Sequence, residues 1–184
     1  MIDYARTFGL PAVVFRMSCI YGLHQCGNED QGWIAHFLVR ALHKQPITLY
    51  GDGMQVRDVL FVEDLVNAFL LAQQNMPRLS GQAFNMGGGA DNTISLLELL
   101  KLIGDLQGDR PDVRFGAWRP GDQRYYVSDT TKFQQATGWK QTVNVRSGVG
   151  RLHAWLKETI VRPAAAQPTP VAAPRLIAPA VGPR

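Results

Sequence analysis

The sequence predicts an α/β fold, because short apolar runs of β type alternate with amphipathic helical stretches over most of its 184 residues. Three observations carry this. Ala12-Val13-Val14-Phe15-Arg16 is a short apolar run suited to a buried strand. Trp33/Ile34, Phe37/Leu38 and Ala41/Leu42 recur at helical spacing. Ser95-Leu96-Leu97-Glu98 has the form of a capping box that opens a helix.

Element by element, Met1 to Phe8 reads as the last turns of a helix stopped by Gly9, with Pro11 just beyond. The Ala12–Arg16 strand leads into a polar loop over Tyr21–Gln31, and the helix that follows runs to about Lys44, ahead of Pro46. Ile47–Tyr50 reads as a strand, Gly51-Asp52-Gly53 as a turn and Val59–Val62 as a second short strand. A helix from Glu63 places Leu65, Ala68, Phe69 and Ala72 on one face. Ala83–Met86 is another strand, running into Gly87-Gly88-Gly89. The helix after Ser95 has the stripe Leu96, Leu99, Leu100 and Ile103, and Val113–Phe115 fits an edge strand. A short helix is expected after Asp129, and a last one carries Val149, Leu152, Leu156 and Ile160. From 162 to 184 the chain is Ala/Pro-rich, holds six of its eleven prolines and is expected to be a disordered tail. Only two or three strands read as central, too few for a doubly wound sheet, so the remaining strands are expected in an N-terminal part absent from this sequence.

Charge narrows the partners. The formal net charge is +4, but three arginines and no acid lie in 162–184, leaving +1 for the rest. The other lysines and arginines are scattered, without the basic run or interleaved aromatics of a nucleic-acid groove, so no nucleic-acid partner is expected. No apolar run is long enough to span a bilayer, and Cys19 and Cys26 make neither a disulfide framework nor a metal spacing. A cytoplasmic protein without a membrane partner is the expectation.

Three segments have the residue types of a ligand site. Arg16-Met17-Ser18-Cys19-Ile20-Tyr21-Gly22 lies at the C-terminal end of a buried strand, where α/β sheets bind ligands; it serves equally well as a plain turn. In Gly51-Asp52-Gly53-Met54-Gln55-Val56-Arg57-Asp58-Val59, Arg57 stands among apolar residues and needs an anion. A phosphate or carboxylate ligand would supply it, or a local pair with Asp58 or Asp64. Trp118-Arg119-Pro120-Gly121-Asp122-Gln123-Arg124-Tyr125-Tyr126 sets arginines and tyrosines around a Pro-Gly turn. It suits a diphosphate and a sugar, or else a solvated turn with Asp122 paired to Arg124. Gly87-x-Gly89-x-x-Asn92 only superficially matches a dinucleotide fingerprint and is taken as a glycine turn. The histidines His24, His36, His43 and His153 form no catalytic or metal arrangement, and His36 and His43 are expected to face solvent.

Taken jointly and in this order, these segments resemble the extended short-chain dehydrogenase/reductase family of NAD-dependent sugar-nucleotide epimerases and dehydratases. The shared residues are Arg16 to Gly22, Gly51-Asp52-Gly53 with Arg57-Asp58, Phe84-Asn85-Met86-Gly87-Gly88, Arg119-Pro120-Gly121-Asp122, and Asp129 with Gly138-Trp139. Asp30-Gln31-Gly32-Trp33 and Asp122-Gln123-Arg124 are most similar to the CDP-paratose 2-epimerase branch (also called CDP-tyvelose epimerase). The resemblance covers residues 1–161. It implies the C-terminal part of an extended Rossmann-type fold: the last strands of the parallel sheet plus the small α/β substrate-binding domain, with the dinucleotide-binding part absent.

The resemblance also implies roles. Arg57 and Arg119 match arginines that clamp the nucleotide diphosphate, and Gln31 and Trp33 would line the nucleotide-sugar cleft. Tyr126 matches a sugar-site tyrosine, and Cys19 falls where many members have an asparagine that meets sugar or phosphate. Met17 and Ser18 match positions near the nicotinamide of NAD. His24 and Leu23 depart from the Arg and Pro common at their places. The family's glycine fingerprint and Tyr-x-x-x-Lys pair are missing, so no catalytic residue is assigned here. The implied function is the nucleotide-sugar-binding portion, with a CDP-sugar ligand, of an NAD-dependent epimerase. The alternatives are a non-catalytic binding remnant, or part of a dTDP- or UDP-sugar dehydratase or 4-epimerase. The implied partners are a nucleotide-diphosphate sugar, an N-terminal half carried on a separate chain, and a second copy in a homodimer.

Overall fold

The computed structural model describes residues 1–161; the tail expected over 162–184 lies outside the described residues. In chain order the elements are α1 (Ile2–Phe8), β1 (Val14–Met17), β2 (Cys19–Tyr21), α2 (Trp33–Leu42), β3 (Ile47–Tyr50), β4 (Val56–Phe61), α3 (Val62–Gln74) and α4 (Met76–Leu79). There follow β5 (Ala83–Met86), a 3-10 turn (Ala90–Asn92), β6 (Thr93–Ser95), α5 (Leu96–Gln107), β7 (Val113–Gly116), β8 (Tyr125–Tyr126), α6 (Thr131–Thr137) and α7 (Val145–Val161). The fold is mixed α/β with mostly parallel pairing: β1 with β5, β2 with β4, β3 with β7, and β8 with β4, while β6 joins β4 antiparallel.

The β2–β4 pair is the wall on which the molecule is organised. Strand side chains alternate between faces, and the register sets Cys19 beside Val59, Ile20 beside Leu60 and Tyr21 beside Phe61. Val59, Phe61 and Tyr21 enter one core with α2, α5 and α7, in which Ile34, Leu38, Leu99, Ile103, Leu152 and Leu156 are buried. Leu60 and Ile20 enter a second core with Phe84, Met86, Phe133 and Trp139. Each fully buried side chain of this size contributes about 1.5–3 kcal/mol, so both faces of one short strand anchor the fold. The same alternation sends Arg57 to the first face and Asp58 to the second.

Two buried carboxylates staple loops to this wall. Asp58 is fully buried, accepts a hydrogen bond from the Ser18 hydroxyl (2.5 Å) and another from the Gly89 N–H (3.2 Å). Asp64 accepts from the Thr142 N–H (3.0 Å), the Thr142 hydroxyl (2.7 Å) and the Val143 N–H (3.0 Å), fixing the approach to α7. A buried carboxylate is tolerated only when so satisfied.

Several sequence expectations are corrected in detail. The first strand begins at Val14 and ends at Met17, and Cys19–Tyr21 is a strand where a turn into loop was expected. Its three residues are too few to show a period, and pairing with β4 creates it. β4 spans Val56–Phe61, so α3 starts at Val62. Phe69 is 44% exposed, outside the buried stripe of α3, although its ring lies 5.4 Å from that of Phe15. α2 ends at Leu42, ahead of Lys44. β6 had no signal beyond Thr93-Ile94. The capping box at Ser95 and Glu98 is present as expected.

Candidate functional site

The cleft forms where β3, β4, the loop before α2 and the loop before β8 meet. It encloses about 230 Å³. Strand alternation places its side chains: on β4, Arg57 points to the same face as Val59 and Phe61, next to Cys19 on β2. On β3, Ile47 and Leu49 are buried while Thr48 and Tyr50 turn half-exposed into the cleft. Trp33, His36 and Phe37 close it from α2.

Arg119 arrives from the loop between β7 and β8. Its guanidinium sits 3.9 Å over the centroid of the Tyr50 ring, a cation–π platform. Its nitrogens lie 3.8 Å from carboxylate oxygens of both Glu29 and Asp30. Tyr50 in turn donates its phenolic hydrogen to Glu29. Two contacts dock this loop. Trp118 packs on Gly51, and Asp122 accepts hydrogen bonds from Arg57 (2.7 Å) and Gln55 (3.2 Å).

The ion pairs differ from both local alternatives. Arg57 pairs with Asp122, 65 residues away, and not with Asp58 or Asp64, whose carboxylates belong to the other networks. Asp122 is therefore not paired to Arg124, whose guanidinium lies 5.1 Å from the Trp118 ring. Sequence neighbours were the wrong candidates because a strand turns residues 57 and 58 to opposite faces.

Of the residues singled out from sequence, the cleft brings together Cys19, Trp33, Arg57 and Arg119. Gln31 is exposed and lines an adjoining hollow with Ser18, Cys19 and Trp33. Tyr126 lies on β8 in register with Arg57 and lines neither space. Met17 lines neither space and is 53% exposed at the end of β1. His36, expected to face solvent, is half-buried in the cleft wall; burial, with Arg40 nearby, lowers its pKa and keeps it neutral. Burial likewise pushes the Cys19 thiol up, only partly offset by Trp33 and Arg57, so it stays protonated. Cys19 thus offers a weak donor in place of an amide.

Glu29, Tyr50 and Gln55 were not singled out. The period-2 rule contained the signal for Gln55: it stands two residues before Arg57 at the entry to a strand, hence on the same face. Tyr50 was detectable in the same way from the alternation of Ile47-Thr48-Leu49-Tyr50. Nothing in the sequence marks Glu29, which meets Arg119 only through tertiary contact.

The Gly87-Gly88-Gly89 turn packs closely on β4. A Cβ on Gly87 would stand 2.2 Å from an Asp58 carboxylate oxygen, and on Gly88 2.2 Å from the Val59 carbonyl oxygen. This turn is glycine-rich to admit Asp58 and β4, and its Gly89 N–H already serves a carboxylate. An entering pyrophosphate would meet that negative charge. The Ser18 hydroxyl is also engaged by Asp58. Among the described residues there is no cluster of His, Cys, Asp or Glu able to hold a metal ion, and no helix long and apolar enough to cross a membrane.

Comparison with known proteins agrees with this geometry. Residues 1–87 match the NAD dependent epimerase/dehydratase family. CDP-paratose 2-epimerase of Salmonella typhi is 41% identical over 162 residues, covering 84% of this chain and 47% of that protein. The dTDP-glucose 4,6-dehydratase of Salmonella typhimurium is 29% identical over 158 residues, covering 83% of this chain and 42% of that protein. UDP-glucose 4-epimerase of Thermotoga maritima, solved with UDP-glucose, superposes with a TM-score of 0.77 at 30% identity, covering 86% of this chain and 50% of that one. The chain spans about half the length of the curated relatives it matches. Sequence and fold agree that the chain is similar to members of the NAD-dependent epimerase/dehydratase family over most of its length.

Proposed function

We propose that this chain supplies the nucleotide-diphosphate-sugar-binding surface of an NAD-dependent sugar epimerase of the CDP-paratose 2-epimerase kind. The observation that carries the reading is the convergence of Arg57 and Arg119, from segments 62 residues apart, on one cleft walled by Trp33 and Cys19. Forked guanidinium groups suit the oxygens of a diphosphate, and an aromatic wall suits a base or sugar face. Gln31, at the adjoining hollow, and Tyr126, in register with Arg57 on β8, would meet the sugar. The identity to CDP-paratose 2-epimerase favours cytidine as the base.

The Tyr-x-x-x-Lys pair implied by the resemblance is missing from this sequence, so catalysis is assigned to residues of an N-terminal half that would also hold NAD, with Met17 and Ser18 at its edge. Exposed apolar side chains support such a partner surface. Tyr4 and Phe8 on α1 are 61% and 73% exposed, and Val66, Phe69 and Leu70 on α3 are also uncovered. A homodimer and a cytoplasmic setting complete the proposal.

Isothermal titration with CDP-glucose, CDP, UDP and dTDP tests it. The full chain is expected to bind, with CDP compounds tightest, and to lose at least tenfold in affinity in Arg57→Ala and in Arg119→Ala. Absence of binding to every one of these ligands overturns it, as does binding unchanged in both variants. Tighter binding of UDP or dTDP than of CDP redirects it to the 4-epimerase or dehydratase branches.

A further inference from the structure

Gln55 is the one cleft residue that touches the support of both arginines. It lies just before β4, on the face that carries Arg57, and is 2% exposed. Its amide nitrogen donates one hydrogen to the Tyr50 carbonyl (2.5 Å) and the other to the Asp122 carboxylate (3.2 Å). Tyr50 is the ring on which Arg119 rests, and the second Asp122 oxygen accepts from Arg57. Two N–H groups and two acceptors fix the amide orientation, since a flip would set oxygen against oxygen twice. The Gln55 amide oxygen is left buried without a partner. An unsatisfied buried acceptor disfavours the fold, and one kept at a ligand cleft calls for a role other than stability.

We propose that Gln55 is a positioning residue for diphosphate binding, holding the Tyr50 platform of Arg119 and the Asp122 partner of Arg57 at a fixed spacing. The proposal rests on the diphosphate reading above. Guanidinium groups grip a diphosphate together only if their separation matches it, so the coupling works through geometry and not through contact of Gln55 with the ligand.

The test is titration of the full chain with CDP for wild type, Gln55→Glu and Gln55→Met at pH 7.5 and pH 5. Thermal unfolding is recorded alongside. Gln55→Glu is isosteric but sets a carboxylate against Asp122 and the Tyr50 carbonyl. At pH 7.5 it is expected to weaken CDP binding at least tenfold. Neighbouring negative charge raises the pKa of the introduced carboxyl, so by pH 5 it regains a donor hydrogen and the loss shrinks at least threefold. Gln55→Met is expected to lose a similar factor at both pH values, with no recovery. Glu29, Asp30, Asp122, His36, Arg57 and Arg119 face the same cleft in every variant. The readout is therefore the ratio of variant to wild-type affinity at each pH. Wild-type affinity in folded Gln55→Glu at pH 7.5 overturns the positioning role, and so does a loss that ignores pH. Failure of wild type itself to bind CDP overturns the diphosphate reading, and this role with it. Binding by wild type that falls in Arg57→Ala but not in either Gln55 variant overturns the role alone.

Discussion

Arg57 donates to Asp122 across 2.7 Å, and both side chains are more than two-thirds shielded from solvent. The pair joins β4 to the loop that delivers Arg119, so it couples local structure to site geometry. It also competes with any anionic ligand for the same guanidinium. Charge and shape can be separated by substitution. Asp122→Asn retains an oxygen to accept from Arg57 but removes the negative charge, and is expected to tighten CDP binding about threefold to tenfold. Asp122→Ala removes the acceptor as well, frees the loop, and is expected to weaken binding. Titration of the two variants side by side checks this; equal effects in the same direction would mean that the pair has no charge-specific role.

A second set of acids surrounds Arg119. Glu29 and Asp30 lie 3.8 Å from its nitrogens on an exposed loop, giving the cleft three carboxylates, with Asp122, against two arginines. A dianionic ligand has to displace or outcompete them. Neutralising both, as Glu29→Gln with Asp30→Asn, is expected to raise CDP affinity about threefold to tenfold at low salt, with a smaller gain at 0.5 M NaCl. These pairs are exposed, so little change in unfolding temperature is expected. Titration at the two salt concentrations, with unfolding measured beside it, decides the matter; weaker binding in the double variant would show that the acids organise Arg119 and do not compete for it.

The loop carrying Arg119 depends on one glycine. Gly51 has φ +87, in the left-handed region, and a Cβ there would stand 2.7 Å from the Trp118 ring. Gly51→Ala combines backbone strain with displacement of Trp118. It is expected to cost about 1–3 kcal/mol of stability and to weaken CDP binding by releasing Arg119. Urea unfolding measures the first effect and titration the second. Trp118 fluorescence should shift toward that of a solvated indole. A variant with wild-type stability and wild-type Trp118 emission would show that the packing is not tight.

Much of this was legible in the sequence. The helical stripes of α2 and α5, the capping box and the strand Ile47–Tyr50 are local patterns, and local physics decides them. Arg57 and Arg119 were visible because a cation among apolar residues, or beside a Pro-Gly turn, asks for a partner. Their actual partners were not. Asp122 and Glu29 are brought to them by parallel pairing and loop docking, which leave no periodic trace. β2 and β6 escaped for a related reason: three residues carry no period, and only β4 between them makes both into strands. Phe69 shows the opposite failure, since its helical spacing was right but the surface it faces is left open among the described residues.

The N-terminus of α5 gives a prediction about pH. The Ser95 hydroxyl accepts from the Glu98 N–H (3.2 Å), and the Glu98 carboxylate accepts from the Ser95 N–H (2.7 Å). That backbone bond, followed by the Ser95 hydroxyl, holds the Glu98 carboxyl below its ordinary value. A depressed carboxyl pKa means that the unfolded chain binds the proton more readily. The stabilisation is therefore present above the unfolded pKa of roughly 4.3 and disappears as pH falls through the folded value. Ser95→Ala is expected to cost about 1 kcal/mol at neutral pH. Glu98→Gln keeps an acceptor for the Ser95 N–H but does not titrate. Its stability relative to wild type should improve as pH is lowered from 6 to 3. Urea unfolding across that range measures the difference directly. A constant gap between wild type and Glu98→Gln would mean that the carboxylate charge adds nothing to the cap, leaving the neutral hydrogen bonds to hold Leu97 and the first turn of α5 against Gly53 of the β3–β4 turn.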